Sequence, residues 1–261
     1  MSQRIRREPP RFRSATVRRV EQVSPRLVGV TLAGPDLEGF TLELPAASVR
    51  LLLPPSGTSD LVQPTWGGNE FLLPDGRRPT IRTLTPRRFD PARRELDVEV
   101  VRHDAGAACD WASAARPGDP VAISGPGRGY TVDPEAAGFV LAGGETAIPA
   151  ISQLLEALPA GRPVLVHVEV ARPDARLALP EHPGATFAWH DLPAGAPPGD
   201  ALADAVGTAE IDSGTRVWAA GEAAAVQRIR RHLFQERGLP RSRATVRGYW
   251  KSGRSGDADD G

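Results

Sequence analysis

A single cysteine, Cys109, stands in a chain of 261 residues, so no disulfide can form within it and a disulfide-stapled scaffold is excluded. Lysine is equally scarce: Lys251 is the only one, and the other cations are arginines. Acids and bases cancel at 32 each, so no net field draws the protein to nucleic acid or to a membrane surface. No apolar run approaches the ~20 residues that span a bilayer, and the Arg-rich start is not followed by the apolar stretch of a signal peptide. A reducing, cytoplasmic setting is the expectation. The five histidines are scattered, so no metal site is expected. No Ser/His/Asp or Cys/His arrangement stands out, and Cys109 reads as an ordinary buried residue.

Turn residues, by contrast, are plentiful, with 27 Gly and 26 Pro. In the first half they separate six short segments with β-branched or alternating apolar residues, at 14–20, 27–32, 49–53, 79–85, 96–102 and 120–124. Strands at that spacing predict a small antiparallel barrel, which removes the exposed edges of a short sheet. Residues 54–76, of mixed polar, Gly and Pro content, read as a long excursion between barrel strands. Arg82-Thr83-Leu84-Thr85-Pro86-Arg87 reads as a strand edge leading into a hairpin. A guanidinium there can fork onto a phosphate, yet alternating Arg and Thr equally describe a solvated strand face. The Ala-rich stretch 104–115 reads as one short helix, either a plug for the barrel's end or, through its glycine-bearing start, an anion site.

The second half changes period. Phe139-Val140-Leu141-Ala142-Gly143-Gly144 is a continuous apolar strand, followed by apolar positions at helical spacing from Glu145 to Leu155. Further strands are predicted at 163–170 and 216–222, the last followed by a helix over 223–236. Strands alternating with helices imply a parallel sheet covered on both faces, and ligands of such sheets bind beyond the carboxyl ends of the strands. Two of those ends carry Gly-Glu, Gly144-Glu145 and Gly221-Glu222, without a G-x-G-x-x-G fingerprint. The glycines would serve tight strand-to-helix turns as readily as a ligand. From Arg228 to Arg254 nine basic residues and one acid, Glu236, interleave with Tyr249 and Trp250. No nucleic-acid motif accompanies them, and Arg228, Arg230 and Arg231 read as the solvated face of a helix.

In their order and spacing these segments resemble the siderophore-interacting protein family, flavin-dependent ferric-siderophore reductases related to ferredoxin–NADP reductases. The resemblance runs from about Thr16 to Lys251. It is carried by the Arg82 to Arg87 stretch, by Glu99-Val100-Val101-Arg102-His103-Asp104 with Gly106 and Trp111, and by Ala115-Arg116-Pro117-Gly118-Asp119 with Gly125-Pro126-Gly127. Gly144-Glu145-Thr146-Ala147-Ile148-Pro149-Ala150-Ile151 and Trp218-Ala219-Ala220-Gly221-Glu222 with Arg247-Gly248-Tyr249-Trp250 complete it. It implies an N-terminal antiparallel β-barrel domain that binds FAD (residues 1–134) and an α/β domain with a parallel sheet that binds the nicotinamide (135–251); the small, acidic composition of residues 252–261 reads as a disordered tail.

The resemblance also implies roles. Arg82 would contact the phosphate region of FAD, with Thr83 and Leu84 lining the cofactor and Thr85 beside flavin N5. The family's motif is R-x-Y-[ST], and Leu84 stands where Tyr is common, which removes a stacking face and a hydroxyl. The helix start at Gly106, Ala107 and Ala108, with His103 and Asp104 before it and Trp111 after, matches the pyrophosphate-binding segment. Tyr249 and Trp250 would lie near the flavin. Gly144, Glu145, Thr146, Gly221 and Glu222 match the nicotinamide-binding strand ends. Arg172 and Arg176 follow the strand that ends near the adenosine ribose, as a fork for a 2′-phosphate or as a solvated loop, so NADPH against NADH stays open. Arg50, Arg243, Arg247 and Lys251 would form a cationic rim for an anionic ferric siderophore. The implied activity is NAD(P)H-dependent reduction of the ferric siderophore with release of Fe(II), in a cytoplasmic monomer whose cofactor, not a side chain, carries the chemistry. Leu84 keeps a second reading open, a siderophore- or flavin-binding protein without turnover; a general NAD(P)H:flavin reductase is the third.

Overall fold

The computed structural model describes residues 11–55, 58, 60–102 and 106–253. The chain divides into two compact units, Met1–Val23, Val28–Glu43 and Ala47–Gly129 in the first and Ser24–Leu27, Leu44–Ala46 and Tyr130–Gly261 in the second.

The first unit contains β1 (Arg13–Ser24), β2 (Leu27–Ala33), β3 (Val49–Leu53), β4 (Thr65–Trp66), β5 (Phe71–Leu72), β6 (Thr80–Leu84), β7 (Pro86–Asp90), β8 (Glu95–Val101), α1 (Ala107–Ala114) and β9 (Pro120–Ser124). Seven of the strands form one sheet in the order β6-β3-β9-β1-β2-β8-β7. The pairs β1 with β9, β3 with β6 and with β9, and β7 with β8 are antiparallel. The two edge strands, β6 and β7, are successive stretches of chain with only Thr85 between them, so the sheet curls and its edges meet. This is the expected antiparallel barrel. Alternation does the sorting: on β8, Leu96, Val98 and Val100 are buried while Glu95, Asp97 and Glu99 turn away. They join Leu32, Leu51, Val121 and Ile123 in the core, and Ala112 of α1 packs into it, so the body of α1 does serve as a plug. The excursion is not structureless, since Leu61 and Phe71 cover Phe12, Leu52, Ile81 and Ala122.

In the second unit lie β10 (Gly138–Gly144), α2 (Ile148–Ala157), β11 (Val164–Val170), β12 (Ala185–Asp191), α3 (Asp200–Thr208), β13 (Thr215–Glu222), α4 (Ala223–Arg231) and β14 (Ala244–Trp250). A five-stranded sheet runs in the order β12-β11-β10-β13-β14 with every neighbouring pair parallel. Val164, Val166 and Val168 face α2, and Val140, Ala142 and Val217 face α3 and α4, so helices cover both faces as expected. The strand order reverses between β10 and β13, which places the ligand-binding crevice of such sheets beyond their carboxyl ends. Among the described residues no helix is long and apolar enough to cross a membrane.

Candidate functional site

Thr85, which joins β6 to β7, is buried. On β6 the side chains alternate. Arg82 and Leu84 stand opposite Leu51 and Val49 of β3 and share the face of the barrel core, against which Leu84 packs. Thr83 stands opposite Arg50, whose other neighbour is Ser124 of β9. The expected cofactor row is therefore split: Arg82 and Leu84 can line one surface, while Thr83 belongs with Arg50 on the reverse of the strand. The Arg82 guanidinium donates to the Ile81 carbonyl at 2.7 Å.

Gly106 precedes α1 at φ 147°, a conformation suited to glycine, and brings no side-chain acceptor to the helix start. Small residues, Ala107 and Ala108, follow. Trp111 packs on the barrel core, and its indole Nε1–H is buried with no acceptor among the described residues. Such a deficit is worth about 1–3 kcal/mol, which an incoming acceptor would relieve. Helix start, indole N–H and guanidinium are all donors, the set that a pyrophosphate-bearing cofactor requires. These residues fit FAD. His103 and Asp104 lie outside the described residues.

At the carboxyl end of β10, Gly144 opens a tight turn, Glu145–Ala147, that no side chain caps, and a Cβ at Gly144 would meet nothing within 4 Å. Thr146 Oγ1 is buried in this turn without a partner among the described residues. Glu145 is turned aside. Its carboxylate receives Arg26 Nε at 2.9 and 3.1 Å and the Ala171 N–H at 2.7 Å, which ties the turn to the end of β11. The neighbouring strand β13 ends differently. Glu222, only 7% exposed, accepts from the N–H groups of Ala224 (2.5 Å) and Ala225 (3.1 Å) as the cap of α4, and from Ser252 N–H at 3.1 Å. Glu169 of β11 repeats the device for α3, accepting from Gly199 N–H at 2.5 Å and Leu202 N–H at 3.2 Å. Sequence reading missed Glu169; its signal was an acid inside a strand that is apolar but for His167. Between β11 and its neighbour β12, His167 Nδ1 and His190 Nε2 are 3.0 Å apart, and burial, then the neighbouring His190, hold the His167 imidazole below its ordinary pKa.

Ala244–Trp250 form β14, an edge strand of the parallel sheet. Tyr249 packs edge-on against Trp218 at 6.3 Å between ring centroids, while Trp250 is exposed. Arg247 donates to the Ala46 carbonyl at 3.2 Å. Lys251 is exposed and has no side-chain partner among the described residues. Arg243 departs from the expected rim. It sits at the other end of β14, roughly 23 Å of strand from Trp250, where its guanidinium donates to the carbonyls of Asp212 and Thr215. Arg172 and Arg176 are likewise not open forks: Asp174 binds the first at 2.8 and 3.0 Å and Asp191 the second at 2.6 Å.

Residues 16–130 match the siderophore-interacting FAD-binding domain, and residues 136–253 match the siderophore-interacting protein domain. A crystal structure of a siderophore utilization protein from T. fusca is 37% identical, with a TM-score of 0.84 over 95% of both chains. The chain belongs to the siderophore-interacting protein family. It is also 29% identical to the ferric vibriobactin reductase of Vibrio cholerae over 99% of this chain and 95% of that one. With the NADPH-dependent ferric-chelate reductase of Escherichia coli it shares 37% identity over 60% of each chain. The barrel is thus the family's FAD-binding domain. Of the expected residues, Arg82, Leu84, Thr85 and the Gly106 to Trp111 segment lie within this matched domain. In the α/β unit a side chain at Gly144 would meet open space and the Thr146 hydroxyl lacks a partner among the described residues, whereas Gly221 is buried and the side chains of Glu145 and Glu222 are committed to the fold.

Proposed function

We propose that this chain is an FAD-dependent ferric-siderophore reductase in which one NAD(P)H reduces two Fe(III)-siderophore complexes, giving NAD(P)+, a proton and two Fe(II). The observation that supports it most is the open Gly144 turn at the sheet's reversal point, with its unpartnered Thr146 hydroxyl, in a chain whose other unit is an FAD-binding domain. The names of two relatives point to the ferric chelate as acceptor. Bound FAD supplies the conversion between two-electron and one-electron chemistry that this stoichiometry requires.

The side chains bind and orient. Arg82, the α1 start at Gly106 to Ala108 and the Trp111 indole hold the cofactor's phosphates, and Thr85 stands by the ring. The turn Gly144 to Thr146, with Gly221 beside it, receives the dinucleotide, and the Arg26–Glu145 pair holds that turn in place. Arg50 in the first unit and Lys251 in the second each lack a side-chain partner among the described residues, and each is a cation that suits an anionic siderophore, as is Arg247 in the second. Fe(II) is held more weakly than Fe(III) by hard oxygen ligands, so reduction releases it. The protein works as a cytoplasmic monomer.

Purified protein supplied with FAD, NADH or NADPH and a ferric catecholate or hydroxamate should form two Fe(II) per nicotinamide oxidised, read with a ferrous-specific chelator. Iron reduction no faster than without protein contradicts the proposal. Leu84 supports a second reading, binding without turnover, which predicts FAD or siderophore uptake with no nicotinamide oxidation. Lys251→Ala with Arg50→Ala should slow iron reduction while sparing flavin reduction by the nicotinamide.

A further inference from the structure

The end of β11 is where a sheet of this kind discriminates between the two nicotinamide donors. This rests on the reading that the chain uses a reduced nicotinamide at all. In a βαβ unit that binds a dinucleotide, the second strand ends beside the adenosine ribose, where an acidic residue suits the free 2′-hydroxyl and an unpaired arginine suits a 2′-phosphate. Here the unit is β10-α2-β11, and the chain leaves β11 as Ala171-Arg172-Pro173-Asp174-Ala175-Arg176.

Three guanidiniums collect at this end, and each is matched by a carboxylate. Arg26 is held by Glu145, whose Oε1 also accepts the Ala171 N–H at 2.7 Å. Arg172 makes a two-point contact with Asp174, Nε to Oδ1 at 3.0 Å and Nη to Oδ2 at 2.8 Å. Arg176 reaches across to Asp191, the last residue of β12, at 2.6 Å. The segments that follow β11 and β12, residues 171–184 and 192–199, hold no other Lys or Arg. The one further titratable base there, His182, is buried. Three cations therefore face three anions, with the buried Glu169 carboxylate adding a fourth negative group on the same strand. A 2′-phosphate is dianionic and needs net positive charge. Any arginine that turned to it would leave its carboxylate behind as a like charge beside the phosphate.

We propose that this charge-matched strand end makes the protein prefer NADH over NADPH, with Asp174 and Asp191 as the residues that set the preference.

The test compares kcat/KM for the two nucleotides in the FAD-loaded full chain with a ferric siderophore as acceptor, and NAD+ against NADP+ binding by titration calorimetry. NADH should be favoured by both readouts. Asp174→Asn and Asp191→Asn should each shift the NADPH/NADH ratio upward by roughly fivefold, the factor that one unit charge is worth at ion-pair distance in a water-exposed setting. By the same charge count Arg172→Ala, which leaves Asp174 unpaired, should lower that ratio by no more than about fivefold, whereas a true 2′-phosphate ligand would lose far more. A wild-type preference for NADPH, or Asn variants that leave the ratio unmoved, overturns the proposal while nicotinamide use stands. If neither nucleotide reduces the flavin, although dithionite-reduced protein still reduces the ferric siderophore, the nicotinamide reading itself fails and the preference with it.

Discussion

Two strand-to-helix turns lie side by side at the carboxyl edge of the parallel sheet, Gly144-Glu145 after β10 and Gly221-Glu222 after β13. They carry the same dipeptide, yet they do opposite things. Glu222 folds under its helix and satisfies the first N–H groups of α4 from within the protein. Glu145 is drawn sideways by Arg26 and the Ala171 N–H, so no side chain caps the turn it begins. One turn is closed by its own carboxylate, and the other leaves space beside Gly144 and a Thr146 hydroxyl without a partner among the described residues. A Gly-Glu pair in sequence is therefore not a binding signature; what separates the two is a partner 119 residues away.

Gly144→Val should give the largest effect. Its side chain enters open space at φ −79°, ψ −179°, so the thermal midpoint should barely move, while kcat/KM for the nicotinamide falls about 100-fold because the dinucleotide is displaced. Equal activity in that variant would remove the distinction between the turns. One residue earlier the opposite holds: a Cβ at Gly143 would come within 2.5 Å of the Ala147 Cβ, so Gly143→Ala should cost stability, about 1–3 kcal/mol. Next in size, Glu222→Ala should lower the unfolding free energy by about 2 kcal/mol, since it strips a buried cap. Glu145→Ala should cost less, about 1 kcal/mol, and urea titrations of the two variants measure the difference. A larger loss at Glu145 would mean that it, too, is chiefly a cap.

Leu84→Tyr restores the ring that the family's motif carries. FAD should bind roughly 2- to 10-fold more tightly, the worth of an aromatic contact, as read by flavin fluorescence quenching; weaker binding would show that Leu84 is needed where it packs on the barrel core. The mildest effect concerns pH. His167 is held below its ordinary value of 6.5 by burial and then by His190, so the folded unit refuses a proton that the unfolded chain accepts. Stability is full above 6.5 and declines as pH falls below it. Urea midpoints at pH 7.5 and 5.5 should differ in that sense, and the difference should shrink in His167→Gln.

The barrel was largely legible in the sequence because half-buried antiparallel strands alternate visibly, as on β8. Pro86-Arg87-Arg88-Phe89-Asp90 escaped notice as β7 since Phe89 is its one large apolar residue. In the second unit β10, β11 and β13, buried on both faces, read as continuous apolar runs. The edge strands β12 and β14 did not, because an edge strand buries little: on β14 only Val246 is fully buried, between Arg247 and Thr245. That omission led directly to Arg243 being assigned to a rim with Lys251, when a strand's length separates them. Which residues matched the family was readable from motifs. Which of them still had a hydrogen bond to give was not, because Asp174, Asp191 and Arg26 reach their partners through side-chain geometry that spacing does not encode.

The most direct test is the visible spectrum of the FAD-loaded protein under anaerobic conditions. The account predicts that reduced nicotinamide bleaches the flavin band and that two equivalents of ferric siderophore restore it, with Fe(II) appearing in step. A protein that takes up no FAD, or a bleached band that ferric siderophore leaves unchanged, would contradict it.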